Sequence, residues 1–143
     1  MAIKDTSKTQ FVADKNDEVF IGIDLPFRKS NDIDGWFAST KTTIEAVKNN
    51  IRNLLSTHAG ERYLQPNIGL NLRNYLFEQF TDELRLTIEN DILDTFNFWL
   101  PFVEVKNLEV KGGVNSNTII INVLFNITRD PNTLESVQIS VTE

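Results

Sequence analysis

Between Thr118 and Ile127 every second residue is large and apolar: Ile119, Ile121, Val123, Phe125 and Ile127. A repeat of two is that of a β-strand, whose successive side chains leave opposite faces of a sheet. Ile120 and Leu124 make the second face partly apolar too, which predicts a central strand. A central strand needs two neighbours. Upstream, Phe102 to Val110 alternates with a change of phase near Lys106-Asn107, which predicts a bulge. Gly112-Gly113 and Asn115-Ser116-Asn117 supply the turn between the two strands. Downstream, Asp130-Pro131-Asn132 turns the chain again. Leu134–Val141 follows, with Val137, Ile139 and Val141 alternating with Gln138 and Ser140. Polar on its outer side, this last strand is expected to form an open edge.

The residues before this meander follow the helical period. Ile44, Val47, Ile51, Leu54 and Leu55 trace one stripe, Thr40, Thr42 or Thr43 can cap it, and Gly60 can close it in the left-handed conformation. Leu70 to Phe77 reads as a short second helix. Thr81 caps a third, with Asp82 and Glu83 in the first turn, where the helix dipole favours them. Leu84, Ile88, Ile92, Phe96 and Trp99 share a face of it, and Leu86, Leu93 and Leu100 recur on a neighbouring face. The apolar arc spans roughly 240° at 100° per residue. That exceeds what one core contact requires, so this is either the central helix of the domain or a helix serving both core and partner. Pro101 ends it.

Residues 1–18 are polar and mixed in charge, which predicts a flexible N-terminal arm. Val19, Ile21, Ile23 and Leu25 alternate as a short strand stopped by Pro26, and residues 28–39 are turn-rich and read as a loop. The expected architecture is α+β. A single domain over residues 19–143 would pack three helices on one small, mostly antiparallel sheet with an open C-terminal edge strand.

A chain of 143 residues, 41% of them apolar, can bury one core. It has no cysteine, which excludes disulfides, thiolate metal sites and cysteine chemistry. MAIKDTSKTQ lacks the apolar core of a signal peptide, and no apolar run approaches the length of a membrane span, so no membrane contact is expected. The net charge of −6 is uneven: residues 81–143 carry only Arg85, Lys106, Lys111 and Arg129 as cations. An acidic surface of this kind repels phosphate backbones, and nucleic acid is not expected as a partner.

Reactive constellations are sparse. His58 is the only histidine, so a histidine-rich metal site is impossible, and as a base it lacks an identifiable orienting partner. No phosphate loop, dinucleotide fingerprint or nucleophile elbow occurs. Glu61, Glu78, Glu89 and Glu104 could supply the two carboxylates of a glycosidase. Acid–base work needs one of them desolvated, and only Glu89 lies within an apolar arc, one turn after a neutralising Arg85. Arg85 and Glu89 can equally meet charges on a partner. Gly60, Glu61, Arg62, Tyr63, Pro66 and Gly69 read as a shaped hinge: proline removes freedom and glycine permits tight turning. Glu61 and Arg62 are either solvated or a salt-bridging clip to the domain or to a neighbour.

Several stretches then stand together: IGIDLPF, NNIRNLLSTHAGERYLQPNIGLNL, LFEQFTDE, and a long helix ending in an aromatic residue two positions before a proline. Over residues 19–143 the combination resembles the small baseplate wedge protein, or sheath initiator, of contractile-tailed, T-even-type phages. That family is related to a baseplate component of type VI secretion systems, and some relatives carry an old lysozyme-like label. The resemblance implies a structural protein of the virion tail baseplate, assembled in the host cytoplasm, neither an enzyme nor bound to a cofactor. It implies multiple copies in a symmetric baseplate, with helical wedge subunits and the tail sheath protein as partners. It also implies a fold like the strand-exchanging part of the sheath protein, with β-augmentation of the first sheath ring along Leu134, Val137, Ile139 and Val141. The family's Glu-Pro-Arg at the end of the long helix is replaced here by Leu100, Pro101 and Phe102. Trp99, Leu100, Pro101 and Phe102 would then form an apolar plug toward wedge partners, or fill the chain's own core. The alternatives are a peptidoglycan-degrading glycosidase of the tail, with Glu61 or Glu89 as acid, and the equivalent subunit of a type VI secretion or tail-like machine.

Overall fold

The structure, a computed structural model, describes residues 20–30, 35–112, 117–128 and 130–142. The expected arm at 1–18, the start of the first strand at Val19 and most of the Gly112–Asn117 turn lie outside the described residues. The chain groups into two compact units, residues 1–52 and 53–143.

In the first unit, β1 (Gly22–Ile23) pairs antiparallel with β2 (Ser39–Thr40). The pairing extends beyond these short strands. Ile21 N–H donates to Thr40 O at 2.9 Å, Asp24 N–H to Ala38 O at 2.9 Å, and Ala38 N–H to Arg28 O at 2.9 Å. An isolated bridge joins Lys29 to Phe37. Within the stretch expected to be a loop, residues 28–30 and 36–38 therefore pair with each other as part of a ribbon. Pairing close in sequence is entropically cheap, so it forms locally and does not add a strand to the larger sheet. Helix α1 (Thr43–Ser56) begins behind Thr42, whose Oγ1 accepts from Glu45 N–H at 3.3 Å. Asn49 on α1 reaches back to the ribbon, donating to Ile23 O and Asp24 Oδ1 at 3.3 Å each. Arg28 hydrogen-bonds the Asp24 carboxyl and holds it below the usual carboxylate range.

In the second unit, β3 (Val103–Gly112), β4 (Thr118–Ile127) and β5 (Asp130–Thr142) form an antiparallel sheet in the order β3-β4-β5. Ile119, Ile121, Val123, Phe125 and Ile127 are all buried. The β3–β4 register shifts between Val105 and Asn107, leaving Lys106 as the extra residue. β5 starts at Asp130, so Pro131 falls inside it, which an edge strand tolerates because the N–H that proline lacks is not needed on the unpaired side. Helix α2 (Asp82–Trp99) is capped by Thr81 Oγ1, which accepts from Leu84 N–H at 3.2 Å. Leu84, Ile88, Ile92 and Phe96 form its buried stripe, each worth about 1.5–3 kcal/mol when fully removed from water. Leu86, by contrast, is 53% exposed and Phe98 74%. The wide apolar arc thus divides into a core stripe and a surface that the chain leaves open.

Three helices on one sheet is not what forms: the described residues make two α-helices and two separate sheets. Leu70–Phe77 yields only a four-residue 3-10 turn, Asn74–Phe77. Between Gly69 and the Glu78 stop there is too little chain to recover the cost of nucleating an α-helix. Of this segment Leu70, Leu72 and Leu76 are buried, so its apolar spacing serves core packing without helical periodicity. α1 likewise stops at Ser56, four residues before Gly60.

Tyr75, on that turn, donates its hydroxyl proton to Asp91 Oδ2 of α2 at 2.5 Å. The bond is the main cause that raises the Tyr75 pKa to about 12, since ionisation would set two negative oxygens together. Because the folded value lies above the unfolded one, the stabilisation is complete below about pH 10 and disappears as pH rises through about 12. Tyr75→Phe is expected to cost about 1–2 kcal/mol at pH 7 in urea unfolding. The deficit should vanish by pH 12, and one that persists there would remove Asp91 as its cause.

Candidate functional site

No concave reactive centre stands out among the described residues, and the candidate site consists of three surfaces: the loop after α1, the end of α2 and the edge of β5. The loop is closed twice by its own backbone. Leu70 N–H donates to Thr57 O at 3.0 Å, and Gly60 N–H donates to Pro66 O at 2.7 Å. Gly60 and Gly69 both hold positive φ, 91° and 105°. Glu61 bends back so that its carboxylate accepts the His58 backbone N–H at 3.1 Å. It is a clip within the loop. Arg62, half-buried, forms no ion pair among the described residues. The tip presents Tyr63 at 97% and Leu64 at 89% exposure, the most exposed large apolar side chains described. A fixed backbone carrying bare apolar side chains is prepared for contact, because little freedom remains to be lost on docking. Leu64 belongs to this surface although its sequence context gave no signal for it.

At the end of α2, Trp99 is half-buried and meets Phe98 edge-on at 5.0 Å. Leu100 is buried at 7% exposure, whereas Pro101 is exposed and Phe102 is 40% exposed. The stretch therefore splits: Leu100 belongs to the core, and Phe98, Pro101 and Phe102 face outward. Phe102 is held by its carbonyl, which accepts from Thr128 N–H at 3.0 Å and Thr128 Oγ1 at 3.1 Å. Earlier on α2, Arg85 lies 4.0 Å from the half-buried Glu89 and 3.7 Å from the exposed Asp82, in a group remote from Leu100 in sequence.

β5 pairs with β4 alone among the described residues, so no strand lies along its second edge there. Val137 is buried, Ile139 and Val141 half-buried, and Leu134, 56% exposed, lies on the opposite face. Beside the last residues of β5, a groove runs between Ile139–Thr142 on one wall and Leu55, His58, Leu72 and Arg73 on the other.

None of the carboxylates considered for hydrolysis, Glu61, Glu78, Glu89 and Glu104, lines the groove beside β5. Glu61 is spent on its own loop, Glu89 on Arg85, and Glu104 on Lys106 at 2.9 Å at the surface. His58 Nδ1 has no hydrogen-bond partner among the described residues, and hence no orienting group. No cluster able to hold a metal ion occurs among the described residues, and no helix there is long and apolar enough to cross a membrane.

Residues 41–132 match the family model described as baseplate wedge protein gp25, which is more than half of the chain. The chain belongs to this family. It is 22% identical over 98 residues to the baseplate wedge protein gp25 of Enterobacteria phage T4, spanning 68% of this chain and 74% of that one. Its fold is similar to that of a protein from Geobacter sulfurreducens provisionally described as a tail lysozyme, with a TM-score of 0.63 and 20% identity over 72% of this chain and 93% of the other. It is also similar to a chain of the anti-feeding prophage baseplate, with a TM-score of 0.56 and 23% identity over 82% and 81% of the two chains. A chain of the type VI secretion baseplate complex gives 0.56 and 16% identity over 68% and 91%. The family is thus that of a baseplate wedge protein.

Proposed function

We propose that this chain is a structural subunit of a contractile-tail baseplate that starts sheath assembly by offering the free edge of β5 to a strand of the first sheath ring. The observation that carries the reading is the edge itself, a long strand paired on one side only among the described residues. The end of α2 and the loop tip are the contacts to helical wedge subunits, in several copies around a symmetric baseplate. Phe102, Phe98 and Tyr63 supply apolar contact where the family's charged pair is missing. The role needs no acid–base pair, in keeping with carboxylates tied into surface contacts.

Truncating β5 would strip β4 of a partner and expose Val123 and Phe125, so loss of function in such a variant would report unfolding. Gln138→Lys with Ser140→Lys is the cleaner test. Both positions are exposed, and lysines along an edge disfavour strand addition. The double variant is expected to fold, to join baseplates normally and to start at least about tenfold fewer sheaths when purified sheath subunits are added. Hydrogen exchange on the unaltered chain should show β5 amides gaining protection when sheath binds. Full sheath growth on the variant, with no protection of β5, would overturn the sheath contact and leave the wedge role standing.

A further inference from the structure

The β1–β2 ribbon precedes the segment matched by the family model and carries a surface of its own. Thr40 is buried on one face of it. On the other face, alternation places Phe37, Ser39 and Lys41 together, with Lys29 opposite Phe37 and Ile23 opposite Ser39. Ile23 is 54% exposed, Phe27 67% and Phe37 55%, and the Phe27 and Phe37 rings meet edge-on at 5.9 Å. Lys29 stands 5.4 Å from the Trp36 ring and Lys41 6.0 Å from that of Phe20, and neither has an ion pair among the described residues. The ribbon thus offers an apolar centre with a cation near each end, about 13 Å apart at 3.3 Å per residue over the four residues from Phe37 to Lys41.

The chain also carries the complement. On α2, Glu83, Leu86, Asn90 and Asp94 are exposed and follow one another at helical spacing, with Phe98 one turn further on. Arg85 is engaged by Asp82 and Glu89, so Glu83 and Asp94 are left without ion pairs among the described residues. They lie about 16 Å apart along the helix at 1.5 Å per residue, within side-chain reach of the lysine spacing. We propose that the ribbon of one copy docks on this stripe of α2 in a second copy, Lys29 and Lys41 facing the two carboxylates and Phe27 and Phe37 covering Leu86. The two patches differ, so the contact is head-to-tail and can repeat around a ring. It is independent of the sheath contact.

The test is sedimentation velocity of the full chain across concentration and salt. Reversible association is expected, weakening about tenfold between low and high ionic strength as the end charges are screened. Lys29→Glu with Lys41→Glu should weaken it by at least about tenfold, and Glu83→Lys with Asp94→Lys should do the same. All four side chains are exposed, so both variants keep the fold. Mixing the two reversed variants should restore association, because ribbon and stripe then complement each other between unlike copies. A chain that stays monomeric at every concentration, association indifferent to either reversal, or no recovery on mixing would each overturn the proposal. Incorporation into baseplates, measured separately, tells this failure from a failure of the wedge reading.

Discussion

Replacing Gly69 by alanine is expected to remove about 4 kcal/mol of stability, a large share of the 5–15 kcal/mol typical of a domain. Gly69 holds φ at 105°, where a β-carbon costs about 1–2 kcal/mol. That carbon would also stand 2.3 Å from the Thr57 carbonyl oxygen and 2.9 Å from its carbon. The obstacle is backbone, so no side chain can swing aside, and relief requires opening the loop base. Opening it breaks the Leu70 N–H to Thr57 O bond, another 0.5–1.5 kcal/mol or so. Displacing the buried neighbours Leu70 and Leu72 adds a packing loss of about 1–3 kcal/mol. Gly60→Ala is the internal control. Its φ of 91° is similar, but nothing lies within 4 Å of the added carbon, so only about 1 kcal/mol is expected. Urea unfolding of the pair checks both values. Similar losses in the two variants would mean that left-handed conformation, and not the close approach to Thr57, dictates glycine at position 69.

The same loop shows what a single sequence reveals and what it withholds. Gly60, Pro66 and Gly69 announce a shaped turn because each residue type restricts or frees the backbone by itself. That Gly69 lies against Thr57 is a fact of close packing, and nothing in the residue type records which atom sits opposite. β4 was legible for a related reason: five alternating apolar residues bury themselves in any sheet, whatever its partners. Leu70–Phe77 misled because apolar residues at helical spacing also suit an extended segment lying on a core. The N-terminal ribbon was hidden by its turn-forming composition, although Phe27, Trp36 and Phe37 stood in plain view. Their exposure, which gives them a purpose, depends on the fold. The same holds for the apolar stretch at the end of α2, where Leu100 is buried while Pro101 and Phe102 are exposed.

That division makes Leu100→Glu the more damaging way of approaching the family's charged pair. Leu100 is 7% exposed, and its N–H closes α2 on Phe96 O at 2.8 Å. A carboxylate at so buried a position would be removed from water, a loss of about 3–5 kcal/mol. Burial raises the pKa of the introduced carboxyl above its unfolded value, so the folded form binds the proton more tightly. The deficit should therefore be greatest above that raised value and shrink as pH falls toward about 4, the reverse of ordinary acid destabilisation. Phe102→Arg, at a position 40% exposed, should cost under about 1 kcal/mol and leave the chain folded at every pH tested. Its effect belongs to assembly: a cation in the apolar surface should weaken binding to wedge subunits while circular dichroism and melting stay as they were. If Leu100→Glu proves as harmless to folding as Phe102→Arg, Leu100 is not a core residue, and the outward face of this helix end is wider than the structure gives it. If Phe102→Arg leaves wedge binding intact, the apolar contact is made elsewhere, and the exposed tip at Tyr63 and Leu64 becomes the surface to alter next.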